Sequence, residues 1–76
     1  MVEVFKFKGR KPYGNITVRV SPHPGLQDIF PDASHSITVH GSEVGDIITQ
    51  QPISGLTDEA IIASLKREAA SYGASI

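Results

Sequence analysis

The chain reads as an α+β domain: a small antiparallel sheet of three to four strands, in the order β-β-β-β-α, covered by one C-terminal helix. Three observations predict it. Two N-terminal segments alternate apolar and polar residues with the period of two that marks half-buried strands. Gly- and Pro-bearing turns bound these segments and two later β-rich ones. One C-terminal segment spaces its apolar residues three and four apart behind a threonine suited to cap a helix.

Residues 2 to 8, VEVFKFK, put Phe5 and Phe7 on one face and Val4, Lys6 and Lys8 on the other. Residues 15 to 20, NITVRV, put Ile16, Val18 and Val20 together, with Thr17 and Arg19 opposite. Gly9 to Gly14, with Pro12 between, joins the two as a hairpin. Its core face carries Phe5, Phe7, Ile16, Val18 and Val20. Its outer face carries Lys6, Lys8, Thr17 and Arg19, with Arg10, Lys11 and Tyr13 at the tip. Val2 and Val4 then lie among the lysines, and apolar residues on an open face point to contact with something else.

Residues 21 to 34 connect onward through three prolines. The spacing of Leu26, Ile29 and Phe30 predicts one helical turn that tucks three apolar groups under the sheet, stopped by Pro31. Residues 35 to 40, HSITVH, form a third strand with Ile37 and Val39 inward. Residues 46 to 51, DIITQQ, form a fourth, ended by Pro52. Adjacent Ile47 and Ile48 leave its buried face open, and the pairing partner of this strand, third or first, is open too. Thr57 starts the helix, with Asp58 and Glu59 where the helix dipole favours anions. Ile61, Ile62, Leu65, Ala69 and Tyr72 form its apolar stripe, which reads as the lid of the sheet. Gly73 stops it, and the last residues, Gly-Ala-Ser-Ile, are expected to fray.

Seventy-six residues make a single domain spanning 1–76, with a small core and a thin stability margin. There is no Cys, so no disulfide or thiolate metal site exists. No apolar run approaches the roughly 20 residues of a membrane-spanning helix. No signal-peptide core follows Met1, and a cytoplasmic protein is expected.

Charge is divided along the chain. Residues 1 to 20 carry Lys6, Lys8, Arg10, Lys11 and Arg19 against Glu3, a net of +4. The remainder carries Lys66 and Arg67 against seven acids, a net of −5, within a total of −1. Five of the seven basic residues therefore belong to one hairpin.

Few residues in this sequence are spaced for chemistry. His35 and His40 are five apart on a strand and so face opposite sides, and no spacing ties His23 to either, so no metal is expected. Ser21, Ser34 or Ser36 with a histidine and Asp28 or Asp32 lacks the nucleophile turn and oxyanion loop of acyl transfer. An enzyme would need several of Ser21, His23, Asp28, His35 and His40 to converge in a pocket. The adjacent carboxylates of Asp58 and Glu59 diverge on a helix and serve its dipole. Gly41 to Gly45 contains an acid and leads into a strand, unlike a phosphate loop. No catalytic residue, cofactor or small-molecule substrate is expected.

The hairpin remains. The expected function is a non-catalytic protein–protein interaction module: a regulator, adaptor or assembly subunit. Its partner-binding residues are Lys6, Lys8, Arg10, Lys11, Tyr13 and Arg19, and its partner is an acidic protein surface or another copy of the chain, as in a homo-oligomer. The alternative is a nucleic-acid-binding domain that uses the same residues on phosphates, since two-stranded ribbons enter grooves and clustered cations bind backbones. A small antiparallel sheet followed by a C-terminal helix is broadly similar to the sheet-type DNA-binding domains of some phage and transposon integrases. That likeness is topological and implies no residue assignment. A short frame without catalytic residues also suits a phage or mobile-element product.

Overall fold

The computed structural model describes residues 2–45 and 47–74. Four strands form one antiparallel sheet in chain order: β1 (Glu3–Lys8), β2 (Asn15–Pro22), β3 (His35–Gly41) and β4 (Ile47–Pro52). One helix, α1 (Asp58–Ser71), follows. The fold is α+β, and β4 lies beside β3, not β1. The dimensions of 36 × 24 × 16 Å fit one sheet and one helix in two layers.

Alternation sets the two faces. Phe5 stands opposite Val18 and Phe7 opposite Ile16. Val18 in turn pairs with Val39, and Val20 with Ile37. These side chains point toward α1, and Ile16, Val18, Val20, Ile37 and Val39 are almost fully buried with Ile61 and Ala69 of the helix. The helix packs on the central strands β2 and β3, whose inner faces would otherwise be the largest wetted apolar surface.

The register slips by one residue in β4. His40 pairs with Ile47 and Val39 with Thr49, so Ile48 is the extra residue of a bulge. The bulge resolves the two adjacent isoleucines. Ile48 packs on the core, while Ile47 lies on the far face and is half exposed.

Helix α1 begins and ends as its residues predict. The Thr57 hydroxyl accepts the Ala60 N–H at 3.2 Å, and Asp58 and Glu59 occupy the first turn. At the other end Gly73 at φ 108° gives its N–H to Ala70, and Ala74 gives its N–H to Ala69, which is the Schellman pattern. Ala74 thus packs against the core and does not fray. The expected fraying of Ser75 and Ile76, and the start of the fourth strand at Asp46, lie outside the described residues.

The connection from β2 to β3 departs from expectation. A 3₁₀ turn forms over Leu26–Asp28, but only Leu26 is buried. Ile29 is 73% exposed and Phe30 43%. The turn is three residues long, so the chain leaves it before Ile29 can share the inward side of Leu26. The inward positions go to Ala33 and Ile53, isolated apolar residues in loops.

The two edges of the sheet are closed differently. β1, at one edge, carries Glu3 on its helix-side face and Lys6 and Lys8 on the other. β4 has no charge, but it has the bulge at one end and Pro52 at the other. Charge, bulges and proline all hinder addition of another strand.

Candidate functional site: the open face of the sheet

Among the described residues, no helix covers the face away from α1. Two rows of side chains cross it. Lys6, Thr17, His40 and Ile47 stand in register across the four strands. Val4, Arg19, Thr38 and Gln50 form the next row. Lys8 opposite Asn15 extends the surface toward the hairpin tip.

No described strand position on this face holds a carboxylate. Glu3, the only acid of the hairpin, pairs with Val20 and so lies on the helix side. Asp28 and Asp32 are in the connection, Glu43 is in a turn, and Asp58 and Glu59 open the helix. Glu68 accepts from Gln51 Nε2 at 2.8 Å, again on the helix side. Within the hairpin strands, charge therefore divides by face, with Lys6, Lys8 and Arg19 on the open side and Glu3 on the helix side. Among the described residues, Lys6, Thr17, Arg19, Thr38 and His40 make no side-chain hydrogen bond or ion pair.

The six residues expected to bind a partner separate into three groups. Lys6, Lys8 and Arg19 stand together and exposed on the open face. Lys11 is exposed at the tip. Arg10 and Tyr13 belong instead to the helix side. The Arg10 N–H donates to the Tyr72 carbonyl at 3.0 Å, and the Tyr13 ring meets Tyr72 edge-on with centroids 5.3 Å apart. Tyr13 is half-buried against the core, not an aromatic presented at the tip. Burial raises the Tyr72 hydroxyl pKa above its ordinary value, with help from the charge of Glu68 and from Tyr13, while Arg10 acts in the opposite sense.

The open face also holds residues that alternation alone did not single out. Thr38, His40, Ile47 and Gln50 complete it, and their membership follows only once β3 and β4 are placed beside the hairpin. Val4 is 44% exposed and Ile47 50%. The face is basic at its centre and apolar at two points of its border.

A second concavity lies in the connection. It is about 410 Å³ and includes His23, Asp28, Ser34 and His35 in its lining. The Ser34 hydroxyl is 2.8 Å from His35 Nδ1. This gathers part of the set that acyl transfer would need, but Ser21 and His40 are not in its lining. The hydroxyl and imidazole are chain neighbours, next to the bond from the His23 N–H to the Ser34 carbonyl at 3.0 Å. The His23–Ser34 bond holds the two ends of the connection together, while the Ser34–His35 contact is local to the start of β3. Among the described residues, no group of three His, Cys, Asp or Glu is placed to hold a metal. Among the described residues, no helix is long and apolar enough to cross a membrane.

Comparison with protein-family models, curated proteins and solved structures finds no match to this chain.

Proposed function

We propose that the domain is a non-catalytic binding module whose open sheet face receives an acidic protein surface. One observation carries the reading: Lys6, Lys8 and Arg19 share a face on which no described strand residue is an acid. Such a face attracts a negative partner and steers its approach, while Val4 and Ile47 supply apolar area that excludes water. Regulator, adaptor and assembly subunit all fit this mode.

Arg10 and Tyr13 are not part of the surface in this reading. They join the hairpin to the end of α1 and so fix the angle at which β1 presents its lysines. Lys11 extends the positive field without lying on the face.

Binding to nucleic acid is less well supported. Sheet surfaces that read single strands stack bases on exposed aromatic side chains. Phe5, Phe7 and Tyr13 all turn toward the helix side instead. A second copy of the chain is a special case of the acidic partner, with the start of α1 as the complementary surface.

Affinity capture from the native host, run in parallel with wild type and a Lys6→Glu/Arg19→Glu variant, tests the proposal. A protein retained by the wild type and lost with the variant is expected. Light scattering at low and high salt tests self-association, which screening should weaken. A clean monomer that retains no protein contradicts the reading.

A further inference from the structure

The centre of the open face is a depression of about 390 Å³ lined by Lys6, Thr17, Arg19, Thr38, His40 and Ile47. Its shape follows from the register. Thr17 stands opposite His40, and Arg19 stands opposite Thr38. The short threonines therefore occupy one diagonal, and the long Arg19 and His40 the other. Threonines make the floor, and Lys6, Arg19, His40 and Ile47 make the rim.

The donors in this depression share one preference. Lys6 and Arg19 are cations, both threonine hydroxyls can donate, and the His40 ring adds a fifth group. None of the five has a side-chain hydrogen bond or ion pair among the described residues. Diagonal positions on neighbouring strands are about 7–8 Å apart, a gap that one tetrahedral anion with hydrogen bonds of about 2.7 Å can bridge.

We infer that this depression is a site for a phosphoryl group carried on a serine or threonine of a protein partner. The inference rests on the open face being the surface that binds an acidic protein, and it names the group that the centre of that face holds. A carboxylate offers two oxygens, which one guanidinium satisfies. That would leave Lys6 and two hydroxyls unused. A phosphoryl group offers three oxygens and a charge of about −1.5 to −2, matching Lys6 and Arg19 together. Val4 and Ile47 beside the depression offer apolar contact to the residues that flank the phosphorylated one. A nucleic-acid phosphate would lack the aromatic support for its bases that this face does not provide.

The test is a titration of the isotope-labelled protein with one short neutral peptide in three forms: with phosphothreonine, with threonine, and with glutamate at that position. Methyl signals of Thr17, Thr38 and Ile47 and the Arg19 Nε–H report the site. The phosphopeptide is expected to saturate these signals and to bind about tenfold tighter than the glutamate form, with no saturation by the threonine form. Thr17→Val/Thr38→Val keeps charge and shape, so it should weaken phosphopeptide binding several-fold, by a clearly larger factor than it weakens poly-L-glutamate binding. Backbone amide spectra confirm that this variant stays folded.

If the double variant binds the phosphopeptide as well as wild type, or if the glutamate peptide binds equally, the phosphoryl site is refuted and the acidic-partner reading survives. If neither the peptides nor poly-L-glutamate bind, both readings fail. Inorganic phosphate binding as tightly as the phosphopeptide overturns the protein source in favour of a free anion. Tighter binding of duplex DNA or single-stranded RNA through the same signals overturns both in favour of nucleic acid.

Discussion

The rings of Tyr13 and Tyr72 meet edge to face, with planes at 81° and centroids 5.3 Å apart. The contact ties the tip of the first hairpin to the last turn of α1, and the Arg10 N–H to Tyr72 carbonyl bond reinforces it. It fixes the hairpin from the helix side and leaves the other side of β1 and β2 free. A double-mutant cycle over Tyr13→Ala and Tyr72→Ala should give a coupling of about 0.5–1.5 kcal/mol, read from urea denaturation. A coupling near zero would mean that the rings do not hold the tip.

The same contact has a pH signature. Burial holds the folded-state pKa of Tyr72 above the ordinary value of 10.0, so the native state keeps this proton more tightly than the unfolded chain does. The associated stability is fully present below the unfolded value and is lost as pH rises through the folded value. Thermal melts of wild type should therefore fall more steeply above pH 10 than those of Tyr72→Phe, which keeps the ring and removes the titration. Parallel curves for the two proteins would refute this.

The bulge in β4 separates Ile47 from Ile48. Ile48→Thr places a hydroxyl against the core and should cost about 2 kcal/mol. Ile47→Thr changes an exposed position and should stay within about 0.5 kcal/mol. The two midpoints in urea decide the matter, and equal losses would contradict the register.

The helix is the lid of the core, and Ile61 is its largest fully buried side chain at 1% exposure. Ile61→Ala should cost about 3 kcal/mol, a large share of the roughly 4–11 kcal/mol expected for a chain this short. Ile29→Ser should be nearly neutral, because Ile29 is exposed. A large loss at Ile29 would show that the connection packs more tightly than its exposure indicates.

The strands of the hairpin and the helix are legible in the sequence because each buries one face against one neighbour. Alternation at Phe5, Phe7, Ile16 and Val18, and helical spacing at Ile61, Leu65 and Ala69, then report directly on burial. The bulge was not legible, since Ile47 and Ile48 suit either face equally and only pairing with β3 separates them. Tyr13 misleads because its direction is set by Tyr72, at the far end of the chain. Ala33 and Ile53 are buried from loops that carry no periodicity. Leu26, Ile29 and Phe30 have helical spacing, but the turn is too short to realise it. For the candidate site, the basic side of the hairpin could be read from Lys6, Lys8 and Arg19. Its completion by Thr38, His40 and Ile47 required the strand order.

In the proposed function, the open sheet face is the binding surface and its cations draw an acidic partner. Methyl and side-chain chemical shifts of the labelled protein, followed as poly-L-glutamate is added at low and then high salt, test it most directly. Shifts at the Thr17, Thr38 and Ile47 methyls and the Arg19 Nε–H are expected to saturate at low salt and vanish at high salt, with Leu65 and Ile53 on the helix side unmoved. Shifts centred on the helix or the connection, or none at low salt, would contradict it.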